Sequence, residues 1–359
     1  MEPTYTRPTE PTDGPLTFEE LALATRNRGM PLEAMRYDLT PTGLHYLLTH
    51  FDIPAVDRDS WRLKIGGAVD RAFEMDFGEL RSMPRNTVPV TLECAGNGRA
   101  RLHPRPMSNP WLYEAIGTAE WTGTSVWPLL ERAGLHDDAL EVVFTGADRG
   151  IQGEIEHDYQ RSLTVEEVKR PEVMLAYEMN GRALEPQHGY PVRLLVPGWY
   201  GMTSVKWLTS IEAVTEPFKG YQQASTYLFK DGREDDGRPV TRLRPRALMV
   251  PPGIPDFFSR HRIVKPGGVG IFGRAWSGSG PIERVEVGVD GEWSDAVLGP
   301  SVGGFAWRSW SYEWDAQPGE HVLSCRATDA TGDSQPIDEP WNWQGMGNNM
   351  AQQVPVTVR

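Results

Sequence analysis

After about residue 260 the chain is written almost entirely in short strands. Val269–Trp276, Ile282–Val289, Phe305–Trp314, His321–Thr328 and Gln353–Val358 follow one another, with turns such as Asp290-Gly291 between them. Strands this short and this evenly spaced bury their apolar faces by closing two sheets against each other, which predicts an immunoglobulin-like β-sandwich. The Cys…Trp…Cys pattern of antibody domains is absent, so the sequence leaves the strand topology open. Cys325, on the strand Val322–Ala327, reads as core packing. Upstream, the polar run Asp-Gly-Arg-Glu-Asp-Asp-Gly-Arg-Pro (231–239) and Val250-Pro251-Pro252-Gly253 interrupt regular structure. They divide the chain into an N-terminal arm (1–40), a first domain (41–245) and the sandwich (255–359).

The first domain mixes element types, so the whole reads as α+β. Residues 1–20 are rich in Pro, Thr and Glu and suit a disordered arm. Trp61–Gly67 alternates as a strand that ends in glycines, and Phe77–Ser82 reads as a short helix. Trp121–Ala133 reads as a helix entered through Thr122-Gly123-Thr124 and closed at Gly134. Leu140–Phe144 is a strand emptying into Thr145-Gly146-Ala147-Asp148. Val173–Met179 is a strand closed by an Asn180-Gly181 hairpin turn, and Val192–Val196 is a buried strand.

With 359 residues, 39% hydrophobic content and 13 tryptophans, the chain can build a substantial core. A net charge of −13 argues against non-specific binding to nucleic acid or to an anionic membrane, and suits an encounter with a basic carrier such as a small cytochrome. No apolar run is long enough for a spanning helix. The start, Met-Glu-Pro-Thr-Tyr-Thr-Arg, has neither a basic nor an apolar leader region, so a cytoplasmic location is expected. Two cysteines cannot build a disulfide framework, although a single Cys94–Cys325 bridge is formally open.

Residues 91–101, Thr-Leu-Glu-Cys-Ala-Gly-Asn-Gly-Arg-Ala-Arg, carry the strongest chemical signal. Val88, Val90 and Leu92 share one strand face, and Gly96, Asn97 and Gly98 force a turn directly after the Cys94 sulfur. Arg99 and Arg101 bring positive charge, which predicts a readily ionised thiol fit to act as soft metal ligand or nucleophile. The plain alternative is a small buried hydrophobe. Further on, His188, Arg193 and Lys206 are interleaved with glycine loops, as an anion cradle for a phosphate requires. Zinc fits poorly, because no Cys-x-x-Cys or His-x-x-x-His spacing exists. Three functions remain open from the residues alone. They are a metal enzyme, a Cys94/His188 hydrolase or transferase without a cofactor, and a non-catalytic anion-binding protein.

Four segments in order, Leu-Glu-Cys-Ala-Gly-Asn-Gly-Arg (92–99), Leu-Ala-Tyr-Glu-Met-Asn-Gly (175–181), His-Gly-Tyr-Pro-Val-Arg-Leu-Leu-Val-Pro-Gly (188–198) and Val-Lys-Trp-Leu (205–208), resemble the sulfite oxidase family of molybdenum enzymes. Ala275-Trp276-Ser277-Gly278 and Trp341-Asn342-Trp343 resemble that family's dimerisation domain, and the likeness runs from about Leu44 to the C-terminus. The resemblance implies a molybdopterin domain followed by an immunoglobulin-like dimerisation domain, and a homodimer. It implies Cys94 as the thiolate on molybdenum and Arg99 as an arginine near the metal. Tyr46, His50, Asp148, His188, Arg193, Ser204 and Lys206 fall on positions that hold the pterin and its phosphate. Tyr227 falls near the family's active-site tyrosine.

Two departures bear on substrate. Sulfite oxidases that this chain resembles carry an arginine two residues before the histidine matching His50, and another just after the Trp-Ser-Gly turn of the second domain. Here those positions are Leu48 and Pro281, with Arg274 and Arg284 close by in sequence. Loss of both grips weakens binding of a small dianion, at roughly 1.5–3 kcal/mol per charged hydrogen bond. The expected activity is therefore oxygen-atom transfer on a small oxyanion, sulfoxide or N-oxide-like substrate other than sulfite. Its electrons would pass to a separate carrier such as a cytochrome, because no haem, flavin or nicotinamide motif is present.

Overall fold

The structure, a computed structural model, describes residues 10–359, and the first part of the proposed arm lies outside the described residues. The chain enters through helix α1 (Phe18–Arg26), whose Thr17 and Glu20 form a reciprocal capping box. It then runs through β1 (Arg62–Gly67), β2 (Phe73–Asp76), α2 (Phe77–Ser82), β3 (Asn86–Glu93), β4 (Ile116–Ser125) and α3 (Trp127–Ala133). The elements β5 (Glu141–Gln152), β6 (Ile155–Thr164), β7 (Met174–Met179), β8 (Arg182–Ala183), β9 (Arg193–Leu195) and β10 (Leu208–Val214) complete the first half.

Two sheets face each other across the first core. One has the order β2-β1-β10-β5-β6, with β1 and β10 parallel and the other pairs antiparallel. The second runs β3-β4-β7-β8, with β9 also pairing β7. Leu63, Ile65, Phe144, Leu175, Leu194 and Ile211 fill the space between them. On the other face of the second sheet Val90, Leu92, Ala119 and Trp121 pack together, with Val88 beside them, as the alternation of β3 requires.

Two expectations are corrected here. Residues 121–125 finish strand β4, and the helix starts only at Trp127, with a proline in its first turn. The Thr122 hydroxyl bonds that of Thr87 across the sheet at 2.8 Å. A Cβ on Gly123 would lie 2.2 Å from the Leu175 carbonyl oxygen. Pairing on both sides, with glycine admitting a close approach, outweighs the local look of a helix start. Strand β5 likewise does not stop at Phe144. It continues to Gln152 through a bulge between Thr145 and Arg149, and Asp148 stands on that bulge. The hairpins at Asn180-Gly181 and Asp290-Gly291 form with positive φ at both residues, as tight two-residue turns demand.

The second half is a sandwich of a four-stranded sheet (Arg246–Met249, Gly267–Trp276, Arg308–Ala316, Val297–Ser301) and a six-stranded one built around Gly319–Asp329. Trp310, Trp314, Leu323 and Val356 fill it together with fully buried Cys325. Both cysteines are free, which removes the formal Cys94–Cys325 bridge. The halves are tied across a third cluster that includes Met30, Met35, Tyr200, Trp276 and Trp307. The later part of the segment called an arm, including Met30 and Met35, is thus built into the fold. Among the described residues no helix is long and apolar enough to cross a membrane.

Candidate active site

Cys94 stands at the exit of β3, its backbone N–H bonded to the Ala115 carbonyl at 2.9 Å. Gly98 then turns the chain at φ +88. Arg99 folds back over Gly96 so closely that a Cβ there would lie 2.5 Å from Nη1. Only glycine leaves that room. The turn is gripped from behind by the C-terminal segment. Gly347 N–H donates to the Ala95 carbonyl at 2.6 Å, Asn348 Nδ2 to the Gly98 carbonyl at 2.7 Å, and Arg99 Nε to the Gln344 carbonyl at 3.2 Å. Burial pushes the Cys94 thiol above its ordinary value, against the pull of Arg99 and of hydrogen bonds from Gly96 and Trp111. The readily ionised thiol expected from sequence is therefore corrected, because burial outweighs one guanidinium. Arg101 is not part of this environment and lies over the Tyr113 ring.

On one side of Cys94 lies a cavity. Tyr46, His50, Asp148, His188, Arg193, Ser204 and Lys206 all line it with Cys94. Five separate segments deliver them. Tyr46 and His50 follow the turn at Thr42–Leu44, and Asp148 sits on the β5 bulge. His188 ends the turn Pro186–His188, Arg193 opens β9, and Ser204 and Lys206 lead into β10. Arg193 Nη1 donates to the His188 carbonyl at 3.0 Å and Nη2 to the Ser204 carbonyl at 2.9 Å. Lys206 Nζ donates to the carbonyls of Leu48 (2.8 Å) and Gln187 (3.1 Å).

Burial shifts these groups toward neutrality, and crowding of like charge adds to it for the lysine and the imidazoles. Burial, with Arg193 nearby, lowers Lys206 to about 7. Burial lowers His188 to about 2 and His50 to about 3, so both are neutral imidazoles. Burial raises Asp148 to about 6 against the pull of Lys206. Two buried polar atoms here have no partner, Asp148 Oδ1 and His45 Nε2. His45 was missed by the sequence reading. Its ring stacks on Tyr46 and meets His188 edge-on at 5.7 Å, and it is 2% exposed. A histidine one residue ahead of Tyr46 gives no pattern to find it by.

On the other side lies a wider chamber opening to solvent, sharing Leu48, His50 and Cys94 with the cavity. Arg99 and Tyr227 line it, away from the phosphate-side residues. Tyr227 holds φ +58, an uncommon conformation for a bulky side chain. Its hydroxyl bonds His50 Nε2 at 2.5 Å, and buried Arg161 lies 5.7 Å from its ring. Burial raises the Tyr227 hydroxyl above its usual range, so it keeps its proton. Neither arginine near Pro281 reaches this chamber. Arg274 donates to the Met35 carbonyl and pairs with Asp38 at 3.0 Å, and exposed Arg284 pairs with Asp295 and Glu286.

A sulfur donor at a strand exit, beside a cavity lined by cationic and neutral nitrogen donors with two orphaned polar atoms, fits a pterin cofactor with a terminal phosphate. Residues 50–222 match the oxidoreductase molybdopterin binding domain, and residues 259–359 match the Mo-co oxidoreductase dimerisation domain. The protein is a molybdopterin-dependent oxidoreductase. It is 32% identical to sulfite oxidase of Gallus gallus over 86% of this chain and 71% of that protein. Against sulfite oxidase of Arabidopsis thaliana the identity is 31% over 86% of both. The sulfane dehydrogenase SoxCD of Paracoccus pantotrophus superposes with a TM-score of 0.77 at 25% identity, covering 100% of this chain and 95% of that one. The chain belongs to the sulfite oxidase family.

Proposed function

We propose that this protein carries out oxygen-atom transfer on a small substrate other than sulfite, exchanging its electrons with a separate one-electron carrier. The observation that carries this reading is the loss of both anion grips. Leu48 faces the chamber where an arginine is expected, and Arg274 and Arg284 are committed elsewhere.

When bound, the molybdenum cofactor supplies a two-electron redox centre able to exchange an oxygen atom with substrate. Cys94 would hold the metal as a thiolate, since a coordinated cation reverses the effect of burial on a thiol. His188, Arg193 and Lys206 would hold the phosphate. Burial and the nearby Arg193 set the low value of Lys206, and an anion beside it would restore the charge and make the hydrogen bond charge-assisted. Asp148 and His45, each with an unpartnered atom, would meet the polar edge of the pterin, alongside Tyr46, His50 and the backbone around Ser204. Tyr227 keeps a proton at Oη and, backed by neutral His50, would donate it as a hydrogen bond to the oxygen being transferred. Arg99 adds a fixed positive charge at the same place. The dimerisation domain supports a homodimer, and the acidic net charge suits a basic cytochrome as the carrier.

The cofactor-free hydrolase is disfavoured. Cys94 and His188 are both held neutral, and the groups acting on the thiol are Arg99, Gly96, Trp111 and Glu93. The test is elemental analysis of the wild-type protein and Cys94→Ser, both made in a host that synthesises the cofactor, followed by steady-state assay with sulfite. Near-stoichiometric molybdenum in the wild type and weak sulfite turnover are expected. Sulfite turnover with a micromolar KM would overturn the substrate reading.

A further inference from the structure

Arg161 carries a buried charge that the chemistry above does not use. It lies on β6 opposite Phe144 of β5, and it is 2% exposed. Nη1 donates to the Gln222 carbonyl, while buried Nε has no partner. Among the described residues no carboxylate pairs with it. Glu141, whose field reaches it, accepts instead from the Phe218 N–H at 3.0 Å. A guanidinium does not shed its proton to escape burial, and a buried cation without a counter-ion is costly to keep.

The guanidinium is aimed at Tyr227. Cζ stands over that ring, 5.7 Å from its centre, within reach of a cation–π attraction. Tyr159, two residues back on the same face of β6, has its ring 4.8 Å from His50, and His50 Nε2 bonds the Tyr227 hydroxyl. The Gln222 carbonyl held by Arg161 belongs to the short helix Tyr221–Ala224 that leads into Tyr227. Gln222 Nε2 in turn donates to Gln152 Oε1 at 2.8 Å. Tyr227, at φ +58, is thus held at its hydroxyl, its ring face and its backbone approach. Charge around it is unequal. Glu20 is committed to Arg105, whereas Arg99 and Arg161 both bear on the Tyr227 hydroxyl. Burial and Cys94 raise that hydroxyl, and the two arginines pull it down.

We propose that Arg161 is a positioning residue for oxygen-atom transfer, acting through Tyr227. Its guanidinium fixes the ring and offsets the negative charge that gathers at Oη as the hydrogen bond to the transferred oxygen tightens. The inference rests on the oxygen-atom-transfer reading above and adds the residue that equips Tyr227 for its part. Arg161 stands behind the chamber lining, and no bond is made or broken at it. The proton stays on Oη. A charge fixed before the reaction acts without reorganising, and in a dry site its field is little screened.

The experiment places fluorotyrosine at position 227 of the molybdenum-loaded protein and follows its ionisation by fluorine NMR. In Arg161→Met, and equally in Arg161→Gln, its acid dissociation constant is expected to fall about 10- to 100-fold. Steady-state kinetics with sulfite and ferricyanide give a second readout. Both variants are expected to lose about 10- to 100-fold in kcat, with KM within about threefold of wild type and molybdenum content unchanged. On a Tyr227→Phe background the same changes are expected to cost little more. An unchanged ionisation in Arg161→Met would overturn the proposal. Recovery in Arg161→Gln, which keeps a donor without a charge, would assign Arg161 a structural tie to Gln222 and overturn it too. A full further loss on the Tyr227→Phe background would show that Arg161 does not act through Tyr227. If the protein binds no molybdenum, the oxygen-transfer reading fails, while fluorine NMR still decides whether Arg161 acts on Tyr227.

Discussion

Glu93, the residue immediately before Cys94, is ion-paired with Arg246 from the second half of the chain, and both side chains are almost wholly buried. The same carboxylate accepts hydrogen bonds from Asn97 Nδ2 and Trp276 Nε1, each at 2.9 Å. The sandwich therefore supports the Cys94 turn from behind through one fixed charge. Arg246→Met leaves that charge buried and unpaired, and a loss of about 3–5 kcal/mol is expected by denaturant unfolding. The double variant E93L/R246M is expected to regain only part of the stability, because Trp276 Nε1 is left without its acceptor, and to bind less molybdenum, since Asn97 keeps its bonds to Tyr113 and Ala115 but loses the one to Glu93.

Gly96 leaves room for Arg99. In Gly96→Ala the new methyl would lie 2.5–2.7 Å from three atoms of the guanidinium. Molybdenum content is expected to stay near that of the wild type while kcat/KM falls about tenfold or more, equivalent to ~1.4 kcal/mol of transition-state stabilisation. Metal analysis beside steady-state kinetics separates this from loss of the cofactor.

His45→Phe removes an unpartnered buried nitrogen while keeping a ring in place. The cofactor-free protein should lose no more than about 1 kcal/mol, since removal of the desolvated Nε2 offsets the lost contact between Nδ1 and the Tyr46 carbonyl. Molybdenum retained after gel filtration should nevertheless fall severalfold. Equal retention would remove His45 from the cofactor site.

Acid should destabilise the cofactor-free protein well above the carboxylate range. His45, His50 and His188 are lowered to about 4, 3 and 2 from 6.5, mainly by burial. Each is protonated in the unfolded chain before it is in the fold. Their contribution is complete above pH 6.5 and is lost as the pH falls toward 3. Asp148, raised to about 6, acts in the opposite sense between about 6 and 3.8, but it is one group against three. Thermal melts from pH 7 to 4.5 should show a steady fall in Tm.

Much of the site was legible because loop chemistry is local. The Gly-Asn-Gly turn after Cys94, and the glycine-flanked His188, Arg193 and Lys206, need nothing distant to be recognised, and the structure gathers them around one cavity. The sandwich strand Ile282–Val289 falls on its expected bounds, since apolar alternation between turns is also local. What escaped depends on remote partners. Thr122 and Thr124 look like helix-start residues until Thr87 and Leu175 flank them. Leu23 looks like part of a polar arm until Arg105 ties Glu20 down. The Cys94 thiol looks activated until its depth of burial is known.

The grip of residues 344–348 on the Cys94 turn also orders events in time. A ribosome delivers a chain from its N-terminus, so every residue lining the cavity emerges well before this last loop. The loop is itself anchored by Arg244 and Arg246, which donate to the Gly347 and Asn348 carbonyls, and by the pairing of the strand Gln352–Val358 that follows it. The metal seat is thus finished only after this loop has emerged. A chain truncated near residue 340 should be able to form the cavity walls while remaining unable to fix the sulfur that a metal would need.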